Sequence, residues 1–233
     1  MKKILMILTS HEDMENTDSK TGLWIGEFTD PYYEFLDQGY QVTLASPMGG
    51  EPPIDPLSKL TENITASNRR FNEDQEAQQK FKTTLPLNQV RGEEFDAIFY
   101  PGGHGPMWDL AKNRKSGELI VEFFNSGKPI AAVCHGPAAL LMAETVQPGI
   151  LKGRKITGFT NIEEKLAFRS GNIPYQLETR LKELGADFHA ALIPFTSHVE
   201  DDGLFITGQN TLSAGPTAKA LINTLEGLTE IKG

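Results

Sequence analysis

An α/β fold, with an open and mostly parallel sheet covered by helices on both faces, is predicted by three observations. Four short runs are nearly continuously apolar: Ile4-Leu5-Met6-Ile7-Leu8, Val42-Thr43-Leu44-Ala45, Asp96-Ala97-Ile98-Phe99-Tyr100 and Ile130-Ala131-Ala132-Val133. Such runs mark strands buried on both faces, the condition of parallel strands. Helical patterns lie between and after them, and glycine, the favoured residue just past a helix end, closes three of these patterns. Strand and helix alternating in this order imply parallel connections through covering helices.

In chain order the helical patterns run over 33–38 closed by Gly39, 117–125 closed by Gly127, 138–144, 175–184 closed by Gly185, and 213–228. Shorter β-like pieces at 155–159, 188–192 and 204–207 are expected to extend the sheet. The span 46–88 breaks the rhythm, because Met48-Gly49-Gly50-Glu51-Pro52-Pro53-Ile54-Asp55-Pro56 is turn chemistry and a polar segment follows. It reads as an insertion carrying short helices. No internal repeat or linker divides the chain, so a single domain over 1–233 is expected.

The 233 residues include 22 Lys+Arg, 31 Asp+Glu and one cysteine, for a net charge of −9. A chain of this length buries roughly 70% of its unfolded surface, and its composition excludes disorder, collagen and coiled coil. Acidity without a basic run leaves no footprint for nucleic acid or an anionic membrane surface. The apolar run after Lys2-Lys3 is too short for a signal peptide, and no stretch reaches the roughly 20 apolar residues of a membrane span. One cysteine cannot close an internal disulfide. A cytoplasmic protein with neither nucleic-acid nor membrane partners is expected.

The chemistry concentrates in Ile130-Ala131-Ala132-Val133-Cys134-His135-Gly136-Pro137-Ala138-Ala139-Leu140, where an apolar strand ends in a cysteine and a helical pattern follows at once. This is the layout of a nucleophile elbow, which raises its side chain above the carboxyl edge of the sheet. A helix N-terminus there is expected to lower the thiol pKa. The alternative is a buried cysteine acting as a small hydrophobe; the strand-to-helix junction beside His135 favours a nucleophile. Pro101-Gly102-Gly103-His104-Gly105 follows the preceding strand, and a glycine loop there can offer a backbone donor to an oxyanion, with the His135 amide as the other. His198-Val199-Glu200-Asp201-Asp202 has metal-ligand residue types but reads as an acidic surface turn, His189 reads as structural, and His11 and His104 lie in loops near the presumed site.

The Pro101–Gly105 loop and the Ala132–Pro137 elbow resemble the ThiJ/PfpI superfamily, related to class I glutamine amidotransferases. Thr21-Gly22-Leu23-Trp24-Ile25-Gly26-Glu27 and the stretch Ala45 to Pro56 resemble its heat-shock chaperone and glyoxalase III branch. The resemblance runs nearly the full chain, with four motifs in the same order. It implies a flavodoxin-like doubly wound sheet, Cys134 as nucleophile, His135 as the adjacent histidine and Glu27 as acidic elbow partner. The residue that orients His135 falls within 158–164, on Glu164, with Glu163 as the fallback. Gly102, Gly103, Trp24 and His104 then bind substrate or its oxyanion. Adjacent residues on a tight elbow are not expected to hydrogen-bond easily, which leaves His135 to orient or shuttle protons. Without the resemblance, Glu27 reads as a dipole-favouring residue near a helix start at Asp30-Pro31, and Glu163 and Glu164 as a solvated helix start.

The resemblance implies a glutathione-independent glyoxalase III that turns methylglyoxal into lactate through a cysteine hemithioacetal, with deglycation as a variant. No metal, nucleotide or redox cofactor is required, and there is no phosphate-binding glycine motif after a strand. The rival readings are a cysteine amidase or peptidase and a holding chaperone for unfolded proteins. The expected partners are a small dicarbonyl and a second copy in a homodimer. A redox sensor would lack a resolving cysteine.

Overall fold

The computed structural model describes residues 1–15 and 17–232, with 228–232 described by their helical backbone alone. Its strands are β1 (Lys3–Ile7), β2 (Gln41–Ser46), β3 (Leu85–Pro86), β4 (Ala97–Tyr100), β5 (Ile130–Val133), β6 (Lys155–Ile156), β7 (Asp187–Phe188), β8 (Val199–Asp201) and β9 (Phe205–Gly208). Its helices are α1 (Ile25–Asp37), α2 (Ala66–Glu73), α3 (Gln75–Lys82), α4 (Arg114–Asn125), α5 (Ala139–Val146), α6 (Asn161–Leu166), α7 (Leu177–Glu183) and α8 (Ala214–Lys232). Seven strands form one sheet in the order β3-β2-β1-β4-β5-β9-β8. Every neighbour is parallel except β8, which runs antiparallel to β9 at the edge.

The continuous apolar runs are explained by two cores, one on each face. Ile4, Met6 and Leu8 point to the face covered by α1, α2, α3 and α8, while Leu5 and Ile7 point to the face covered by α4, α5 and α7. The period of two along the central strands feeds both cores, so residues 4–8, 97–100 and 130–133 are all buried. In α1, Phe28, Tyr32 and Phe35 recur at helical spacing and are buried against the sheet. Asn113 caps α4 by accepting from the Ser116 amide at 2.9 Å.

Three differences from the sequence reading have physical causes. First, α1 begins at Ile25, not near Asp30, and Pro31 lies inside it as its seventh residue; the apolar spacing from Phe28 onward outweighs both the start signal and the one helical hydrogen bond that proline cannot donate. Second, 46–88 is more than an insertion, since β3 pairs in parallel with β2 through Ala45–Leu85 and Ser46–Pro86. Third, of the short β-like pieces only 204–207 joins the main sheet; β6 and β7 pair with each other. The outer edge of β9 is taken by β8, formed from the acidic segment read as a turn, and just past β6 the Thr157 amide donates to Thr207 Oγ1 of β9 at 2.8 Å.

The chain leaves β1 in one direction, to β2 and β3, then returns to the other side of β1 for β4 and β5. The carboxyl ends of β1, β4 and β5 therefore surround the point where the winding reverses, where open α/β sheets bind ligands.

Candidate active site

Cys134 follows β5 with φ 59°, the left-handed region that non-glycine residues seldom enter. Its backbone is pinned on both sides: its amide donates to Gly208 O at 2.9 Å, and its carbonyl accepts from the Phe159 amide at 2.9 Å. The turn closes because residue 136 is glycine, since a Cβ there would stand 2.2 Å from Tyr100 O. This bend lifts the buried thiol to the floor of a cavity of about 400 Å³ that Glu27, Trp24, Gly103, His104 and His135 also line. A second, more open cleft of about 650 Å³ is lined by His11, Glu51 and Lys59 and does not include Cys134.

The sulfur lies 3.3 Å from His135 Nδ1, which corrects the expectation that neighbours on an elbow stay apart. The left-handed turn at Cys134 and the helical φ and ψ of His135 (−92°, −2°) bring both side chains to one side of the chain. His135 Nε2 lies 2.7 Å from Glu164 Oε2, and His104 Nε2 lies 2.8 Å from Glu164 Oε1. The two imidazoles sit 4.0 Å apart, and Phe159 covers His135 at 4.6 Å. An ionised carboxylate only accepts, so both histidines donate from Nε2, and the neutral form of His135 then presents Nδ1 to the thiol as an acceptor.

Glu163 and Glu164 are both buried, contrary to the bland reading of a solvated helix start, and have separate roles. Glu163 closes a capping box with Thr160 and accepts from the Phe195 amide, Gln209 and Asn210. Glu164, one residue on, reaches the histidines. Burial works against its charge, but the two histidines outweigh this and hold its pKa well below the usual carboxylate range.

Glu27, in the first turn of α1, is fully buried. One oxygen accepts from the Gly102 amide at 3.0 Å, the other from Thr211 Oγ1 at 2.8 Å, and the carboxyl is hydrogen-bonded to the thiol. Burial raises its pKa to about 7, against the opposing pull of these bonds. Burial also raises the thiol well above its usual value, reinforced by the charge of Glu27. This overturns the expected lowering at a helix N-terminus. The helix there opens with a single three-residue turn, Gly136–Ala138, and its dipole is outweighed by desolvation and three acidic neighbours. The resting sulfur is a neutral thiol between a carboxyl and an imidazole, each able to take its proton.

Gly102 is corrected in role, because its amide is engaged by Glu27 and is not available to an oxyanion. The amides of Gly103 and His135 have no protein partner among the described residues, and both residues line the cavity. The Nε2 atoms of His104 and His135 and the Glu164 carboxylate lie within 4.8 Å of one another, the donor types of a zinc site, although their sequence spacing carries no metal signature. Here each donor is already engaged in the hydrogen bonds just described. His11 stacks on Trp108 at 5.1 Å, and His189 and His198 pair with Asp187 and Glu200, so none of these three reaches Cys134.

Thr211, Phe159, Phe195 and Arg169 line the site and were missed by the sequence reading. For Thr211 a signal exists: it follows the carboxyl end of β9, neighbour of β5, where a parallel sheet collects its functional loops.

A glutathione-independent glyoxalase of Schizosaccharomyces pombe is 30% identical to this chain over 237 residues, covering 97% of each. Among solved structures, the 24 kDa rapid encystment protein of Francisella tularensis superposes with a TM-score of 0.91 at 38% identity, covering 97% of this chain and 99% of that one. Glyoxalase III of Candida albicans superposes with a TM-score of 0.85 at 27% identity, covering 96% and 97%. The DJ-1/PfpI family model matches residues 3–222, and the chain, with its elbow cysteine on a mostly parallel sheet, belongs to the DJ-1/PfpI family.

Proposed function

We propose that this protein is a glutathione-independent glyoxalase that converts methylglyoxal and related 2-oxoaldehydes to 2-hydroxy acids. The observation that carries the reading is a single buried thiol placed between His135 Nδ1, at 3.3 Å, and a Glu27 carboxyl with a pKa of about 7. A proton can therefore leave sulfur on one side while another moves on and off carbon on the other. The glyoxalase names of the relatives support the same reaction.

His135 Nδ1 takes the thiol proton as Cys134 Sγ adds to the aldehyde carbon, and the hemithioacetal oxyanion meets the amides of Gly103 and His135. Glu164 keeps the imidazolium in place, as its two histidine bonds allow. Glu27 removes the carbon-bound proton and returns it to the adjacent carbon of the enediolate. A thioester of the 2-hydroxy acid results, and water releases lactate and the free thiol. Atoms balance as methylglyoxal plus water giving lactic acid, with one carbon oxidised and its neighbour reduced.

The test is lactate formation from methylglyoxal without glutathione or added metal, for wild type, Cys134→Ala and Glu27→Gln. Lactate from wild type alone supports the reading, and an inactive wild type rejects it.

A second role, holding unfolded clients, is favoured by one observation. Ile162, Phe168, Leu192, Ile193 and Leu212 are exposed apolar side chains, with Phe168 90% and Leu192 101% exposed. Suppression of client aggregation should survive Cys134→Ala if this role holds. The same exposed side chains are available to a homodimer, and the single cysteine agrees with a reducing cytoplasm. No helix among the described residues is long and apolar enough to cross a membrane.

A further inference from the structure

The cavity above Cys134 is larger than methylglyoxal requires. About 400 Å³ lies within the ~300–1,000 Å³ that encloses drug-sized ligands, several times what a three-carbon dicarbonyl fills. Among the residues lining it, Arg169 is the one lysine or arginine. It follows Phe168, whose φ of 57° turns the chain at the end of α6, and its amide donates to Glu164 O at 3.1 Å. Arg169 is thus tied to the helix that orients His135.

Among the described residues the Arg169 guanidinium has no ion pair. Its contact is Nη1 to the Met14 sulfur at 2.8 Å, a weak acceptor for a group with five donors, and among the described residues no carboxylate lies within 4.0 Å of it. Asp55, which also lines the cavity, already accepts from Thr21 Oγ1 and the Leu57 amide. Arg169 is half-buried and lines the same cavity as Cys134; a guanidinium there without a carboxylate of its own is a planar fork that an incoming carboxylate matches with two bonds. One cation with Glu62 also on the lining suits a single negative charge better than a phosphate dianion.

Resting on the glyoxalase reading, we propose that Arg169 selects 2-oxoaldehydes bearing a carboxylate at the end remote from the dicarbonyl. The guanidinium holds that carboxylate while the aldehyde carbon meets Cys134 Sγ. The chemistry is unchanged: R–CO–CHO plus water gives R–CHOH–COOH, the hydride equivalent moves between adjacent carbons as a proton and an electron pair, and no outside oxidant or reductant enters.

The experiment compares 4,5-dioxopentanoate with its neutral methyl ester as substrates for wild type, Arg169→Met and Arg169→Lys, reading the 2-hydroxy acid products by mass spectrometry. Wild type should prefer the acid by tenfold or more in kcat/KM, expressed mainly in KM. Arg169→Met should lower that ratio at least tenfold, and Arg169→Lys should restore part of it. Equal use of acid and ester by wild type, or an unchanged ratio in Arg169→Met, overturns the proposal while methylglyoxal turnover leaves the glyoxalase reading standing. If wild type converts no dicarbonyl, that reading fails, and glutarate binding to Cys134→Ala with and without Arg169→Met decides the role of Arg169. Binding weakened tenfold sustains it, and unchanged binding overturns it.

Discussion

The Gly102 amide donates to Glu27 at 3.0 Å, and the same carboxylate oxygen occupies the place where a side chain on residue 102 would begin, 2.5 Å from an ideal Cβ. Val133 O at 2.6 Å and Cys134 Cβ at 2.9 Å close the remaining sides. The glycine is there so that α1, the loop after β4 and the elbow after β5 can meet at one point.

Gly102→Ala should therefore displace Glu27 or the elbow. Overpacking of this kind costs about 1–3 kcal/mol. The expected outcome is a lowered Tm together with a fall in kcat for methylglyoxal of at least ~10²-fold, the scale of losing a positioned proton carrier. Urea denaturation and steady-state kinetics on the purified variant check both.

Glu27→Gln should separate stability from catalysis through pH. A carboxyl raised from 4.5 to about 7 on folding binds its proton more tightly in the folded chain. That contribution is complete below pH 4.5 and is lost as pH rises through about 7. Relative to the glutamine variant, wild type should lose on the order of 2–3 kcal/mol between the two ends of this window. Urea denaturation at pH 5 and pH 8 measures it, and equal stability differences at the two pH values would reject the buried, proton-holding Glu27.

The thiol should alkylate slowly. Raised by burial and by Glu27, Cys134 presents little thiolate at neutral pH, so iodoacetamide should react more slowly than with an exposed cysteine and faster as pH rises. Glu27→Gln removes the nearby negative charge and should speed alkylation several-fold. A rate independent of residue 27 would count against the thiol–carboxyl pair.

Adjacent glutamates should fail in different ways. Glu163→Gln weakens a capping box and a buried hub, costing about 1–3 kcal/mol, so its loss appears in Tm. Glu164→Gln leaves His135 without its anionic partner, and kcat should fall ~10²- to 10⁴-fold, as when an imidazole loses its orienting carboxylate. Glu164 also gives the opposite pH sign from Glu27: its lowered pKa stabilises the fold above the ordinary carboxylate range, and this is lost as the solution is acidified. Circular dichroism melts beside kinetics distinguish the pair.

Continuous apolar strands, a cysteine at a strand end and a glycine loop after the neighbouring strand are local patterns, so the sheet, the elbow and Gly103 were legible in the sequence. Glu164 was legible only through the resemblance, because the preceding residue carries the same side chain and only the capping box of Thr160 with Glu163 decides which one reaches His135. The thiol pKa was misread because a helix start is visible in sequence while desolvation is not. His104 as a second partner of Glu164, Thr211 on Glu27 and Arg169 in the cavity wall depend on contacts across 60, 184 and 155 positions respectively. Strand β8 was hidden because its residues are acidic, as an edge strand facing water permits.

The hydrogen bond between Thr211 and Glu27 joins positions 184 residues apart, and Gly102, the Cys134–His135 elbow and Glu164 bring three more separate stretches into the same network. No fragment of the chain can carry this arrangement. Turnover therefore serves as a gauge of cooperative folding: inactivation and the loss of circular dichroism should follow one curve in denaturant, and a nicked chain whose halves stay associated should remain active until they part.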